Sequence, residues 1–433
     1  MRKADAVRDK SWQPGTRTRT DQAPVPPPPD QPRVGGDLRR ASQALGEVGA
    51  KARTETRDEI ARMLRRAPVE DGADPAIVAD QYADMVADAI RQPPAATDRT
   101  ITRNVADVTK PVSQASEAGR KLTTALENNA GAEARALAAL SPAQQSAYRR
   151  LAAATTGDVA ARLGLQVLLL GDRLPGQASS GGGADTLAGL DRLLTKAPLA
   201  EGIDRNALVR QLVREMAAPA AIAQKGKNTC TVTSLQIFMA DRRPSEYVRI
   251  VTALASPEGA AVLTGGPTVR REPGTAADDG SGRSISSRLW QPAMMEAANG
   301  RDYDNAADNF DGDPERRGLN VRDIGRVFKA VTGDRVISRD VRSLPLPERE
   351  RFWKKLLGDS LGRGDAVLVG LEWTSIDAAT GKENTSGHKV LVTGFDAGVV
   401  HFTNPWGQEE IMSVRDFTQR LKNLNVLVPE NAD

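Results

Sequence analysis

The sequence predicts an α+β protein, with helices first and antiparallel strands gathered near the end of the chain. Three observations lead there. From Leu38 to Met216 the chain is rich in Ala, Arg and Glu and poor in β-branched runs, a helical texture. From about Ala217 the texture changes, and Ala366–Trp373, Lys389–Phe395 and Val399–Thr403 read as strands bounded by turn residues. Residues 1–40 hold seven of the 26 prolines, including the run Pro26–Pro29, and few apolar residues, so they read as a disordered leader with polyproline II character.

Three regions follow: a leader over 1–40, a helical region over 41–216 and a mixed helical and β domain over 217–433. In the helical region, Ile60, Met63 and Leu64 share one predicted helix face. A helix is expected after Ser141-Pro142, with Ser as cap and Pro in the first turn, and another over Asp204–Met216. Gly176–Asp185 is a flexible break and a conceivable self-processing point. In the last 217 residues, helical runs precede the strands.

The bulk numbers exclude several classes. Net charge is +3 over 433 residues, and residues 1–40 carry nine Lys/Arg against five Asp/Glu. The body is therefore near neutral, which argues against a nucleic-acid binder. The longest apolar run, around Leu165–Leu170, is far too short to span a membrane. No apolar stretch of a secretory signal precedes the proline run. One cysteine excludes an intramolecular disulfide and a cysteine-based zinc site, and no cofactor motif is found.

That cysteine opens the chemistry. A polar loop, Gln224 to Thr229, leads into an apolar helical stretch starting at Cys230, and Asn228 or Thr229 can cap it. At a helix start, backbone N–H groups and the helix dipole are expected to lower the thiol pKa. Gln224, six residues earlier, can offer an amide N–H to a developing oxyanion beside the Cys230 N–H. His388 stands where a loop ends and a strand begins. Asn404, 16 residues on, ends the next strand. A turn at Asp396-Ala397-Gly398 would return Asn404 to His388, where its oxygen can fix the imidazole tautomer. Trp406 can cover that hydrogen bond. His401, inside a strand-like run, reads as a half-exposed structural residue. The acidic run Asp302, Asp304, Asp308, Asp311 and Asp313 does not fit an EF-hand and reads as a solvated loop, with no metal assigned. Gly265-Gly266-Pro267 and Arg270–Gly282 read as a surface insertion.

The order Cys230, His388, Asn404, with Gln224 six residues before the cysteine, resembles the papain-like cysteine peptidases. Asn404-Pro405-Trp406-Gly407 is particularly similar to the calpain branch, as are Trp290–Ala298 and Ala330–Gly333. Asn228-Thr229-Cys230-Thr231 departs from the usual Gly-Ser/Ala-Cys-Trp/Tyr. The resemblance covers residues 217–433 and implies a papain-like two-subdomain fold, a Cys230–His388–Asn404 triad, a Gln224 oxyanion hole and a protein substrate. The same triad serves deamidases, transglutaminases and acyltransferases, and an inactive domain would act as an interaction module. The Ala/Arg bias suits a GC-rich bacterium. The leader and helical region suit inhibition, partner binding or delivery of a cytoplasmic enzyme or of an effector exported without a cleaved signal.

Overall fold

The structure is a computed structural model and describes residues 100–104, 113, 116–179, 183–362, 366–376, 383–396 and 398–428. The leader over 1–40 and the helix expected around Ile60 lie outside these residues. The described part is α+β, with helices packed beside one antiparallel sheet.

Among the described residues six α-helices precede Cys230: α1 (Glu117–Asn128), α2 (Ala130–Ala138), α3 (Pro142–Ala154), α4 (Val159–Leu170), α5 (Thr186–Thr195) and α6 (Arg205–Ala217). Their starts follow capping chemistry. Ser141 and Gln144 form a reciprocal capping box before α3, with Pro142 at its first position. Asp158, Asp185 and Asp204 cap α4, α5 and α6. Asp158 also pairs with Arg214 of α6, both side chains being almost fully buried. Helices α7 (Cys230–Arg242), α8 (Pro244–Ala255), α9 (Ile285–Asn299) and α10 (Val321–Thr332) follow. The motif Ala330–Gly333 ends α10, and Gly333 takes the left-handed C-cap conformation at φ 77°. Gly265-Gly266-Pro267 lies in the turn of a hairpin between β2 (Ala260–Val262) and β3 (Thr268–Arg270), and Arg270–Gly282 continues from the last residue of β3. A second small hairpin joins β4 (Tyr303–Asp304) to β5 (Asn309–Phe310).

The main sheet has seven strands in the order β1-β10-β9-β8-β7-β11-β6, all neighbours antiparallel. The three expected strands are its centre: β7 (Val367–Ile376), β8 (Glu383–Asp396) and β9 (Val399–Asn404). Sequence reading missed β6 (Arg335–Asp340), β10 (Gln408–Ser413) and β11 (Leu421–Val428). These runs are rich in charged or amide residues, which depress β propensity. It also missed β1 (Thr100–Asn104), an edge strand contributed by the region expected to be helical. Helices α11 (Leu346–Gly362) and α12 (Val414–Arg420) pack on the sheet through Trp353 and Phe417, 5.1 Å apart.

The hydrophobic core does not divide at residue 216. Tyr148, Leu165, Leu190, Leu212 and Met216 share one buried cluster with Leu235, Trp290, Phe328 and Leu427. A second cluster, including Val390, Val392, Phe402 and Trp353, fills the other side of the sheet. Among the described residues no helix is long and apolar enough to cross a membrane.

Candidate active site

Cys230 is the first residue of α7 and is half-buried. The expected cap does not form. Thr229 is the N-cap residue, but its hydroxyl donates to Gln291 Oε1 at 2.9 Å instead of capping the helix. The expected drop in thiol pKa is also corrected. Burial is the largest influence and pushes the thiol up, while backbone N–H groups of Lys389 and Thr231 and the Lys389 charge pull it back.

The loop before Cys230 is gripped from three directions. Gln224 N donates to Pro405 O at 2.7 Å, and Ala223 bridges to Trp406, tying the loop to the turn after β9. Asp308 accepts from Asn228 N at 2.9 and 3.0 Å and from Asn228 Nδ2 at 2.6 Å. Lys227 Nζ donates to Asn305 O at 2.7 Å. Asp308 is therefore a buried structural anchor, not part of a solvated loop, although Asp302, Asp304 and Asp311 are exposed. Gln224 is buried and its Nε2 donates to Lys227 O at 2.6 Å. One amide hydrogen is thereby committed to the loop, and one is left for another acceptor.

His388 and Asn404 meet across the β8–β9 pair. His388 Nε2 lies 2.8 Å from Asn404 Oδ1. The register explains why. Near the turn, Phe395 opposes Val400 and Gly394 opposes His401; after a shift, Val392 opposes Phe402 and Leu391 opposes Thr403. One extra residue at Thr393 thus changes which face Asn404 occupies. Continuing the shifted register puts Asn404 opposite Val390, on the face of His388. Without the bulge it would share the face of Lys389.

Hydrogen-bond polarity fixes the imidazole. Asn404 Nδ2 donates to Glu410 Oε1 at 2.9 Å, so its Oδ1 faces Trp406 N (3.3 Å) and His388. An oxygen only accepts, so His388 must donate from Nε2, and in the neutral ring Nδ1 keeps its lone pair. The ring stacks on Trp406 at 4.4 Å and 24° and meets the edge of Trp373 at 5.4 Å. Trp406 therefore covers the imidazole face. Burial pushes the imidazole pKa down to about 4, against the pull of Asn404.

His388 and Asn404 are thus brought together, and Cys230 reaches the adjoining backbone at Lys389. The sulfur–imidazole hydrogen bond is not formed in this arrangement. His401 is fully buried on β9, not half-exposed, because Phe402, Val400 and their neighbours are covered on both sides.

Sequence reading missed Glu410, Trp373, Asp308, Gln291 and Lys389. Glu410 alone had a usable signal, since its place on the strand after the Asn404 turn sets it diagonally across from Asn404. No protein-family model matches the chain, and no curated protein is significantly similar to it.

Proposed function

We propose that this chain is a thiol-dependent amide hydrolase, a papain-like cysteine peptidase with Cys230 as nucleophile, His388 as base and acid, and Asn404 as the group that orients the ring. The supporting observation is the 2.8 Å bond from His388 Nε2 to Asn404 Oδ1, locked by Glu410. It leaves Nδ1 as a base on the strand residue next to the one whose N–H touches the sulfur.

In this reading the Cys230 proton passes to Nδ1 as the sulfur attacks the amide carbon. The carbonyl oxygen gains charge beside the Cys230 N–H, a free donor at the helix start, and the remaining Gln224 Nε2 hydrogen. Nδ1–H then protonates the leaving nitrogen, giving a thioester. Water attacks the thioester as it yields a proton to Nδ1, the C–S bond breaks, Nδ1–H returns that proton to the sulfur, and the carboxylic acid leaves with the Cys230 thiol restored. A resting sulfur–imidazole bond is not required, because catalytic hydrogen bonds often tighten only around substrate. The ring is neutral above about pH 4, so its Nδ1 lone pair is available, and the burial that lowers its pKa also makes it a weak base until substrate closes the site.

The test is labelling with an irreversible thiol-directed peptide inhibitor, read by intact mass. One adduct is expected, absent in Cys230→Ala and strongly slowed in His388→Ala. No labelling of the folded protein sinks the proposal. Product analysis sets the reaction: a new N-terminus marks a peptidase, and ammonia without cleavage marks a deamidase. The basic, proline-rich leader fits export of the enzyme as a bacterial effector. Deleting residues 1–40 is then expected to abolish export and leave hydrolysis intact.

A further inference from the structure

Thr229, the residue before Cys230, keeps its hydroxyl off the helix it precedes. A side-chain oxygen at the N-cap ordinarily accepts from the second or third backbone N–H of its helix, here Thr231 or Val232. The Thr229 hydroxyl instead donates to Gln291 Oε1 at 2.9 Å, and its oxygen lies 3.4 Å from the Thr233 hydroxyl. The Thr231 N–H is then left for the Cys230 sulfur.

The direction of that hydroxyl depends on which end of the Gln291 carboxamide faces it, and Arg283 sets that end. Gln291 Oε1 accepts from Arg283 Nη1 at 3.2 Å as well as from Thr229. Gln291 Nε2 donates to Gln236 Oε1 at 3.1 Å and to Ala223 O at 3.4 Å. A guanidinium only donates. Turned over, the carboxamide would set its N–H groups against the guanidinium and its oxygen against two other oxygens.

Arg283 is itself held in place, with its side chain fully buried. Its Nε donates to Ser281 Oγ at 2.9 Å, and its Nη2 to Asp279 Oδ2 at 2.5 Å and to Asn305 Oδ1 at 2.7 Å. Asp279 supplies the carboxylate that a buried guanidinium requires. Asn305 in turn accepts the Lys227 ammonium on its carbonyl at 2.7 Å. One arginine thus reaches the segment before Cys230 at two points, Thr229 through Gln291 and Lys227 through Asn305.

We propose that Arg283 is a positioning residue for the nucleophile: through Gln291 it holds the Thr229 hydroxyl away from the start of α7, so that the Thr231 N–H serves the Cys230 sulfur. The role rests on the reading of Cys230 as nucleophile and adds a control on its helix start. The sulfur gains negative charge as its proton passes to His388 Nδ1, and an N–H donor beside it lowers the cost of that charge. A capping hydroxyl would compete for the same N–H. Lys389 of β8, the titratable group whose charge acts on the sulfur, stands outside this chain of bonds.

The experiment is the pH dependence of iodoacetamide alkylation of the full chain, read by intact mass. Cys230 is the single cysteine, so every adduct reports on it. Arg283→Met is expected to raise the alkylation midpoint by about half a pH unit, roughly threefold slower labelling below it, as the freed Thr229 oxygen takes the Thr231 N–H. Gln291→Met removes the hydroxyl's acceptor without changing any charge and is expected to shift the midpoint the same way. It provides the reading if Arg283→Met does not fold. Adding Thr229→Val to either variant removes the competing oxygen and is expected to return the midpoint to that of the parent protein, which neither a lost charge nor a loss of stability would do. A midpoint unmoved in the folded variants, or raised and not restored by Thr229→Val, overturns the role of Arg283 and leaves the nucleophile reading standing. A restored midpoint in a protein that the peptide inhibitor never labels sinks the peptidase reading and leaves this control of the cysteine standing.

Discussion

The two walls of the candidate site are held by different forces. The His388 wall is a strand pair: the ring is set by register, two tryptophans and one short polar chain, His388–Asn404–Glu410. The Cys230 wall is a helix start held by a buried polar network from distant segments. Thr229 donates to Gln291, Gln291 to Gln236, and Gln236 to Tyr247, whose hydroxyl donates to Glu215 at 2.7 Å. Ser284 and Ser286 donate to the same carboxylate. Glu215 lies on α6, in the region that the sequence set apart from residues 217–433. His388 is thus positioned by neighbours near in sequence, and Cys230 by residues from several distant segments.

The sharpest way to break this comparison is to remove the first helices. A chain of residues 217–433 strips Tyr148, Leu165, Leu212 and Met216 from the shared core and leaves Tyr247, Ser284 and Ser286 without their carboxylate. It is expected to lack a cooperative melting transition. A well-folded truncated chain with full labelling of Cys230 would show that the cysteine wall is self-supporting.

Next come His388 on one wall and Glu215 on the other. His388→Ala is expected to slow peptide hydrolysis by about 10²–10⁴, the usual share of a general acid–base group, and to lower Tm as well, because a buried ring stacked on Trp406 is lost. Glu215→Ala acts on the other wall. Three buried hydroxyl donors lose their acceptor, at about 1–3 kcal/mol each when left unsatisfied, so thermal melting should fall by many degrees. If Glu215→Ala melts like the parent protein, the network is ornamental.

A subtler contrast appears in stability against pH. His388 sits on the sheet with its pKa lowered to about 4, so between that value and its unfolded value of about 6.5 only the unfolded chain binds the proton. Stability should rise with pH across this window, and His388→Gln should flatten the slope. Glu272 behaves oppositely. It shares a hydrogen bond with Glu296 of α9, and burial and that neighbour raise its pKa to about 7. The native state keeps a proton that the unfolded chain loses above about pH 4.5, so its contribution falls as pH rises toward 7. Glu272→Gln should remove that fall. The effect is the smallest of the set, because Glu272 is largely solvent-screened. Urea titrations at a series of pH values read both slopes.

Much of the site was legible because it is local. A polar loop before an apolar helix marks Cys230, and two strands joined by a glycine turn mark His388 and Asn404. The helical caps at Ser141 and Asp204 are equally local. Edge and outer strands were harder: β1, β6, β10 and β11 alternate charged or amide residues with apolar ones too briefly to stand out. Asp308 read as solvated because nothing near it in sequence announces Asn228 as its partner.

Sequence alone determined which residues could do the chemistry: one thiol, two imidazoles, an asparagine at a turn, and a chain neutral enough to discount nucleic acid. Tertiary structure decided three things. The bulge at Thr393 turned Asn404 toward His388 and away from Lys389, a one-residue shift that reverses every side chain beyond it. Packing against α6 and α9 made the helical region part of the support of Cys230. Burial then reset the charges, raising the thiol and lowering the imidazole and the lysine. Each depends on groups far apart in sequence sharing a dry interior, where desolvation outweighs the helix-start effect that local pattern predicts.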